Sequence, residues 1–152
     1  MSYFKVINLA VVALYAIGSG YWVSAGDTWY RNLNAPNWQP PDWVFGVIWP
    51  YNFTVLAITG WWITSRVSFK VNLTWSSIFL ATVLTALFWS YKFYVPHHLK
   101  TASISLILAA VGTLPLTFLA FRSNIYLGLA LLPYQIWVSL ASVLSYNYWK
   151  LN

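Results

Sequence analysis

The chain has 152 residues, 60% hydrophobic and only 7% charged, where a soluble domain carries about 25% charged residues. Two acids, Asp27 and Asp42, stand against eight scattered Lys and Arg, so the net charge of +6 makes no basic stripe and excludes a nucleic-acid footprint. So little charge cannot solvate a globule this small, which leaves the lipid bilayer as solvent, and the lack of cysteine excludes disulfides, thiolate metal sites and cysteine nucleophiles.

The first apolar run covers residues 6–25, enough for a hydrocarbon core that takes about 20 helical residues. Lys5 before it and Val23-Ser24-Ala25 at its end outline a secretory signal, but the length of the run, with Tyr21 and Trp22 beside the supposed cut, favours a span. Ala16, Gly20 and Ser24 recur every fourth residue, a spacing that lets helices approach closely.

A connection follows at 26–42, GDTWYRNLNAPNWQPPD. Pro36, Pro40 and Pro41 fix φ and constrain the residues before them, which stiffens the path. Asp42 suits a helix start, and Asp27 suits a cap or a pair with Arg31. Two readings stay open: a loop anchored at headgroup depth by Trp38 and Trp43, or a lid over a binding site.

The second run, 43–64, would be about 33 Å of helix. Trp49 and Phe53 are four apart and Asn52 lies between them, so the three share one broad face. Pro50 inside the run predicts a kink or local unwinding. The third run, 73–94, carries Thr85, Trp89 and Ser90, with small residues paired as Ala81/Thr85 and Ala86/Ser90. The turn 95–98 brings His97 and His98, but adjacent His without Cys or a nearby carboxylate is no metal shell, and a surface role is expected. The fourth and fifth runs are 99–121 and 125–149; the fifth places Trp137, Ala141 and Leu144 on one face. Polar Asn52, Thr85, Ser90 and Gln135 lie within spans, so they should face inward, bonding helix to helix or touching a ligand.

The continuous runs exclude barrel strands, and the short connections at 65–72, 95–98 and 122–124 make neighbours antiparallel. The expected fold is all-α: an integral membrane bundle of five transmembrane helices forming a single domain over 1–152. Lys5, Arg66, Lys70 and Arg122 would face one side and Arg31, Lys92, Lys100 and Lys150 the other, a balance from which no orientation can be read. No nucleophile–base–orienter set is present. Leu144, Tyr146 and Lys150 fit a weak pattern proposed for sterol contact, which an ordinary interfacial helix end also matches.

Two stretches carry a specific resemblance. WYRNLNAPNWQPPDWVFGVIW (29–49) and LLPYQIWVSLASVLSYNYWKLN (131–152) resemble the signatures of the TspO/MBR family, the tryptophan-rich sensory and translocator proteins. The resemblance implies a porphyrin (tetrapyrrole) site inside the bundle, with protoporphyrin IX or haem as ligand rather than obligatory cofactor. Trp49 and Trp137 would flank the ring. Tyr30, Leu33, Pro36 and Trp38 would close over it, and Asn52, Phe53, Trp89, Ser90, Ala141 and Leu144 would complete the walls. Two indoles beside the small Ala141 make a slot for a flat ring, whose propionates would lie near Arg31 or a lysine at the mouth. A role in tetrapyrrole transport, sensing or stress-linked scavenging follows, with a homodimer and sterol as further partners, in a bacterial envelope or organellar membrane. The alternative is a light-dependent porphyrin-degrading enzyme with Trp49 and Trp137 as its photochemical residues. The sequence departs from the family pattern at Asn52-Phe53 (usually Leu-Tyr), Ala86 (commonly Asn) and Ser145 (frequently Asn), so its ligand preference is expected to differ.

Overall fold

The computed structural model describes residues 2–152. Five helices follow in order: α1 (Ser2–Tyr30), α2 (Asp42–Thr64), α3 (Phe69–Tyr94), α4 (Leu99–Ser123) and α5 (Ile125–Leu151). Each is long and apolar enough to cross a membrane, and no strand occurs among the described residues.

Local chemistry sets the helix ends. α1 runs past the end of its apolar run, because polar side chains there support the helix instead of breaking it. Arg31 Nε donates to Asp27 Oδ2 at 2.9 Å, and Asn32 Nδ2 donates to the Thr28 carbonyl at 2.9 Å. The connection is therefore 31–41, and Trp29 and Tyr30 belong to the last turn of α1. Gly26 in that turn permits a close crossing, since a Cβ there would lie 2.7 Å from Tyr94 Cβ on α3. Asn124 starts α5 by accepting from the Tyr126 N–H at 2.8 Å. α2 stays wound through Pro50, so no local unwinding occurs, although the missing N–H leaves the Gly46 carbonyl without its helical donor.

The helices close into a ring in which α1 packs on α2 and α3, α4 on α3 and α5, and α5 returns to α2. The α4–α5 seam is extensive and polar-stitched. Ser103 Oγ donates to the Ser145 carbonyl at 2.8 Å, Ser142 Oγ to the Leu106 carbonyl at 3.0 Å, and Thr113 Oγ1 to Gln135 Oε1 at 2.6 Å. Gln135 thus bonds helix to helix, while Thr85 bonds its own helix at the Ala81 carbonyl. α2 meets α5 far more sparingly.

Cationic side chains cover aromatic rings at both ends. Lys5 sits 4.5 Å over Trp61 and Arg66 4.0 Å over Trp62 at one end, and Lys150 sits 4.1 Å over Trp149 at the other. Such pairs belong at headgroup depth. The solid core lies toward the end away from the connection, where Ile63, Trp75 and Phe79 are wholly buried. There Asn8 Nδ2 donates to the Gly60 carbonyl at 3.1 Å, and Asn8 Oδ1 accepts from Ser76 Oγ at 2.9 Å, tying α1 to α2 and α3.

An aromatic cavity beneath the 31–41 connection

A cavity of about 760 Å³ opens between α1, α2, α3 and α5 beneath the connection. Three helices supply aromatic walls. α2 presents Phe45, Trp49 and Phe53 at four-residue spacing. Trp49 and Phe53 stack with centroids 5.6 Å apart, and Phe45 meets Trp137 of α5 edge-on at 5.1 Å. Tyr15 of α1, buried without lining the cavity, meets Trp49 and Phe53 edge-on. α3 adds Trp89, Phe93 and Tyr94; α5 adds Ala141, Leu144, Ser145 and Tyr148. These rings prop against one another, so they keep the helices apart instead of filling the gap.

The fourth wall is small. α1 contributes Ala16, Ser19, Gly20, Val23 and Asp27, one stripe at helical spacing. A Cβ on Gly20 would meet nothing within 4 Å. Sequence spacing assigned Ala16 and Gly20 to close helix packing; the structure makes them the residues that leave the room. The connection is the roof, with Leu33, Ala35 and Gln39 facing inward. It is tied to α5: the Asn34 N–H donates to Asn152 Oδ1 at 2.8 Å, Asn152 Nδ2 donates to the Asn34 carbonyl at 3.1 Å, and the Tyr148 hydroxyl donates to Gln39 Oε1. That hydroxyl also lies 3.2 Å from the Tyr30 hydroxyl.

Asp27, Arg31 and Asp42 also line the cavity, at its polar mouth. The hydrogen bond that Arg31 donates to Asp27, the charge of Asp27 and the further charge of Asp42 hold the Arg31 guanidinium above its already high range. Of the two roles the sequence offered Asp27, the structure shows the pair with Arg31.

The structure brings Tyr30, Leu33, Trp49, Phe53, Trp89, Trp137, Ala141 and Leu144 to the cavity surface. It does not bring Pro36, Trp38, Asn52 or Ser90 there. Asn52, one turn from Trp49, faces between helices, wholly buried with both amide atoms unpartnered. Ser90 follows Trp89 by about 100° of helix, the angle that 3.6 residues per turn gives, and is likewise buried with its hydroxyl unpartnered. In the roof Pro36 is buried without lining the cavity, and Trp38 is 43% exposed. The sterol-pattern residues split: Leu144 lines the cavity while Tyr146 and Lys150 are exposed beside Trp149, so they form no single surface. His97 stacks on Trp29 at 3.8 Å, and neither His97 nor His98 lines the cavity.

Residues that sequence reasoning missed include the α1 stripe, Phe45, Phe93, Tyr94, Gln39 and Tyr148. Ser145, at a departure position, accepts from Trp89 Nε1 at 3.0 Å and so fixes that indole in the wall. Ala86, another departure, is buried in the core.

Comparison with known proteins agrees with this architecture. The family model described as TspO/MBR family matches residues 7–150. The Bacillus subtilis protein named "Uncharacterized membrane protein YtaB" is 28% identical, over 93% of this chain and 92% of its own length. The Bacillus cereus "Tryptophan-rich protein TspO" is 29% identical, over 82% of this chain and 81% of its own. The Homo sapiens "Translocator protein" is 23% identical, over 90% of this chain and 82% of its own.

Proposed function

The chain belongs to the TspO/MBR family of multi-pass membrane proteins, and on that premise we propose that its cavity binds flat, amphipathic rings of the tetrapyrrole class, protoporphyrin IX and haem among them, in transport, sensing or stress-linked scavenging. One observation carries the reading: a roofed cavity of about 760 Å³ whose walls are indole and phenyl rings from three helices. Small-molecule sites run from about 300 to 1,000 Å³ with mostly apolar linings and few polar groups. Here the polar groups gather at one end, so an amphipathic ring has a direction in which to lie. The relative named as a translocator supports a transport role.

Porphyrin binding should quench the tryptophan fluorescence of the purified protein saturably. Ala141→Phe, which places a ring in the slot beside Trp137, should weaken that binding by about tenfold, the low end of the 1–3 kcal/mol that overpacking costs. Unchanged affinity would remove the site from this wall.

A second reading is favoured by the indoles themselves. Trp49, Trp89 and Trp137 all border the space a ring would occupy, where a photoexcited ring can oxidise indole. If the protein degrades porphyrin in light, Trp49→Phe and Trp137→Phe should abolish product formation while leaving the equilibrium titration within about threefold, since Phe keeps most of the stacking surface. Continued product formation in a variant with Trp49, Trp89 and Trp137 all replaced by Phe would rule out participation of the cavity indoles.

A further inference from the structure

We propose that the mouth of the cavity sorts ligands by charge, favouring flat rings that carry basic nitrogen over rings that carry free carboxylates. This rests on the reading of the cavity as the ligand site and names the ligand class within it.

The chain has two acids and eight Lys or Arg, with a net charge of +6. Both acids line the cavity, and among the described residues Arg31 is the one base that does. The mouth of a strongly basic protein is thus left with one net negative charge. Arg31 Nε donates to Asp27 at 2.9 Å, so its charge is shared with an acid before any ligand arrives. Asp42 has no ion-pair or hydrogen-bond partner among the described residues and stands at the mouth.

The other bases at this end of the bundle are held outside. Lys92 lies over the Phe88 and Tyr91 rings, and Lys100 and Lys150 lie over Trp149. Tyr30, Tyr94 and Tyr148 line the same cavity, and aromatic ring faces attract cations. A dicarboxylate ring must therefore share Arg31 with Asp27 and approach Asp42. A ring with ammonium side arms meets Asp42 and the ring faces directly.

The test holds the ring constant and varies the charge. Protoporphyrin IX, its dimethyl ester and its bis-ammonium amide derivative are titrated against the full chain in a neutral detergent at low salt, read by saturable tryptophan quenching. The bis-ammonium ring should bind about tenfold more tightly than the diacid, with the ester between, as expected for two partly exposed charges. Asp42→Asn should shrink that ratio about two- to fivefold. Asp27→Asn, which releases Arg31, should bring the diacid level with the bis-ammonium ring or ahead of it. A diacid that binds the unaltered protein as tightly as the bis-ammonium ring, or a ratio that neither substitution moves, would overturn the charge selection while leaving the cavity site standing. Absence of saturable quenching by all three rings would overturn both.

Discussion

The two ends of the bundle use the same kinds of residue to opposite effect. Away from the connection, Gly60 on α2 draws α1 in: its carbonyl takes a hydrogen bond from Asn8, and a Cβ there would lie 2.9 Å from Asn8 Cβ. Beneath the connection, Gly20 on α1 faces open space. Trp75 at the packed end is wholly buried, whereas Trp49 at the other end forms a cavity wall. What decides between core and cavity is the residue opposite. A small residue facing a hydrogen-bonding side chain brings two helices together. A stripe of small residues facing mutually propped aromatics leaves a room.

The largest effect should come from attacking the packed end. Gly60→Val inserts a branched side chain where Asn8 already sits and should cost about 3 kcal/mol in denaturant titrations in mixed micelles, the upper range for overpacking. Stability unchanged within error would mean that the α1–α2 contact is loose. Gly20→Leu, the matched change at the cavity end, should leave stability intact or raise it, since glycine inside a helix costs about 1 kcal/mol. The same leucine would occupy the room and should weaken porphyrin quenching about tenfold. If Gly20→Leu destabilises as Gly60→Val does, the two ends are not different in kind. The smallest expected effect contrasts two buried amides. Asn52→Leu removes two unpartnered polar atoms and should stabilise by about 1 kcal/mol, whereas Asn8→Leu breaks bonds to Gly60 and Ser76 and should destabilise by a similar amount.

The contrast also explains what the sequence could reveal. In lipid every backbone group must be satisfied within the helix, so hydropathy alone locates five spans. The end of α1 escaped because Asp27 and Arg31 interrupt hydropathy without interrupting the helix; they pair along it. Spacing put Trp49 with Phe53, and Trp137 with Ala141, on shared helix faces, and the family resemblance, not the spacing, implied that those faces line a site. The α1 wall was not legible, since small residues at that spacing serve close packing and open space equally. Asn52 shares a broad face with Trp49, yet spacing cannot say which of two neighbouring gaps a residue at its edge enters. The roof has no helical period, so nothing in its sequence singled out Leu33, Ala35 and Gln39 over Pro36 and Trp38 as the inward residues.

The ties from Asn34 and Gln39 to α5 have a mechanical consequence. The connection is held by its ends to α1 and α2 and by these bonds to α5, while the seam between α2 and α5 is sparse. Moving those two helices apart would stretch the ties at Asn34 and Gln39, so the fit of the roof and the width of the space beneath it are mechanically linked.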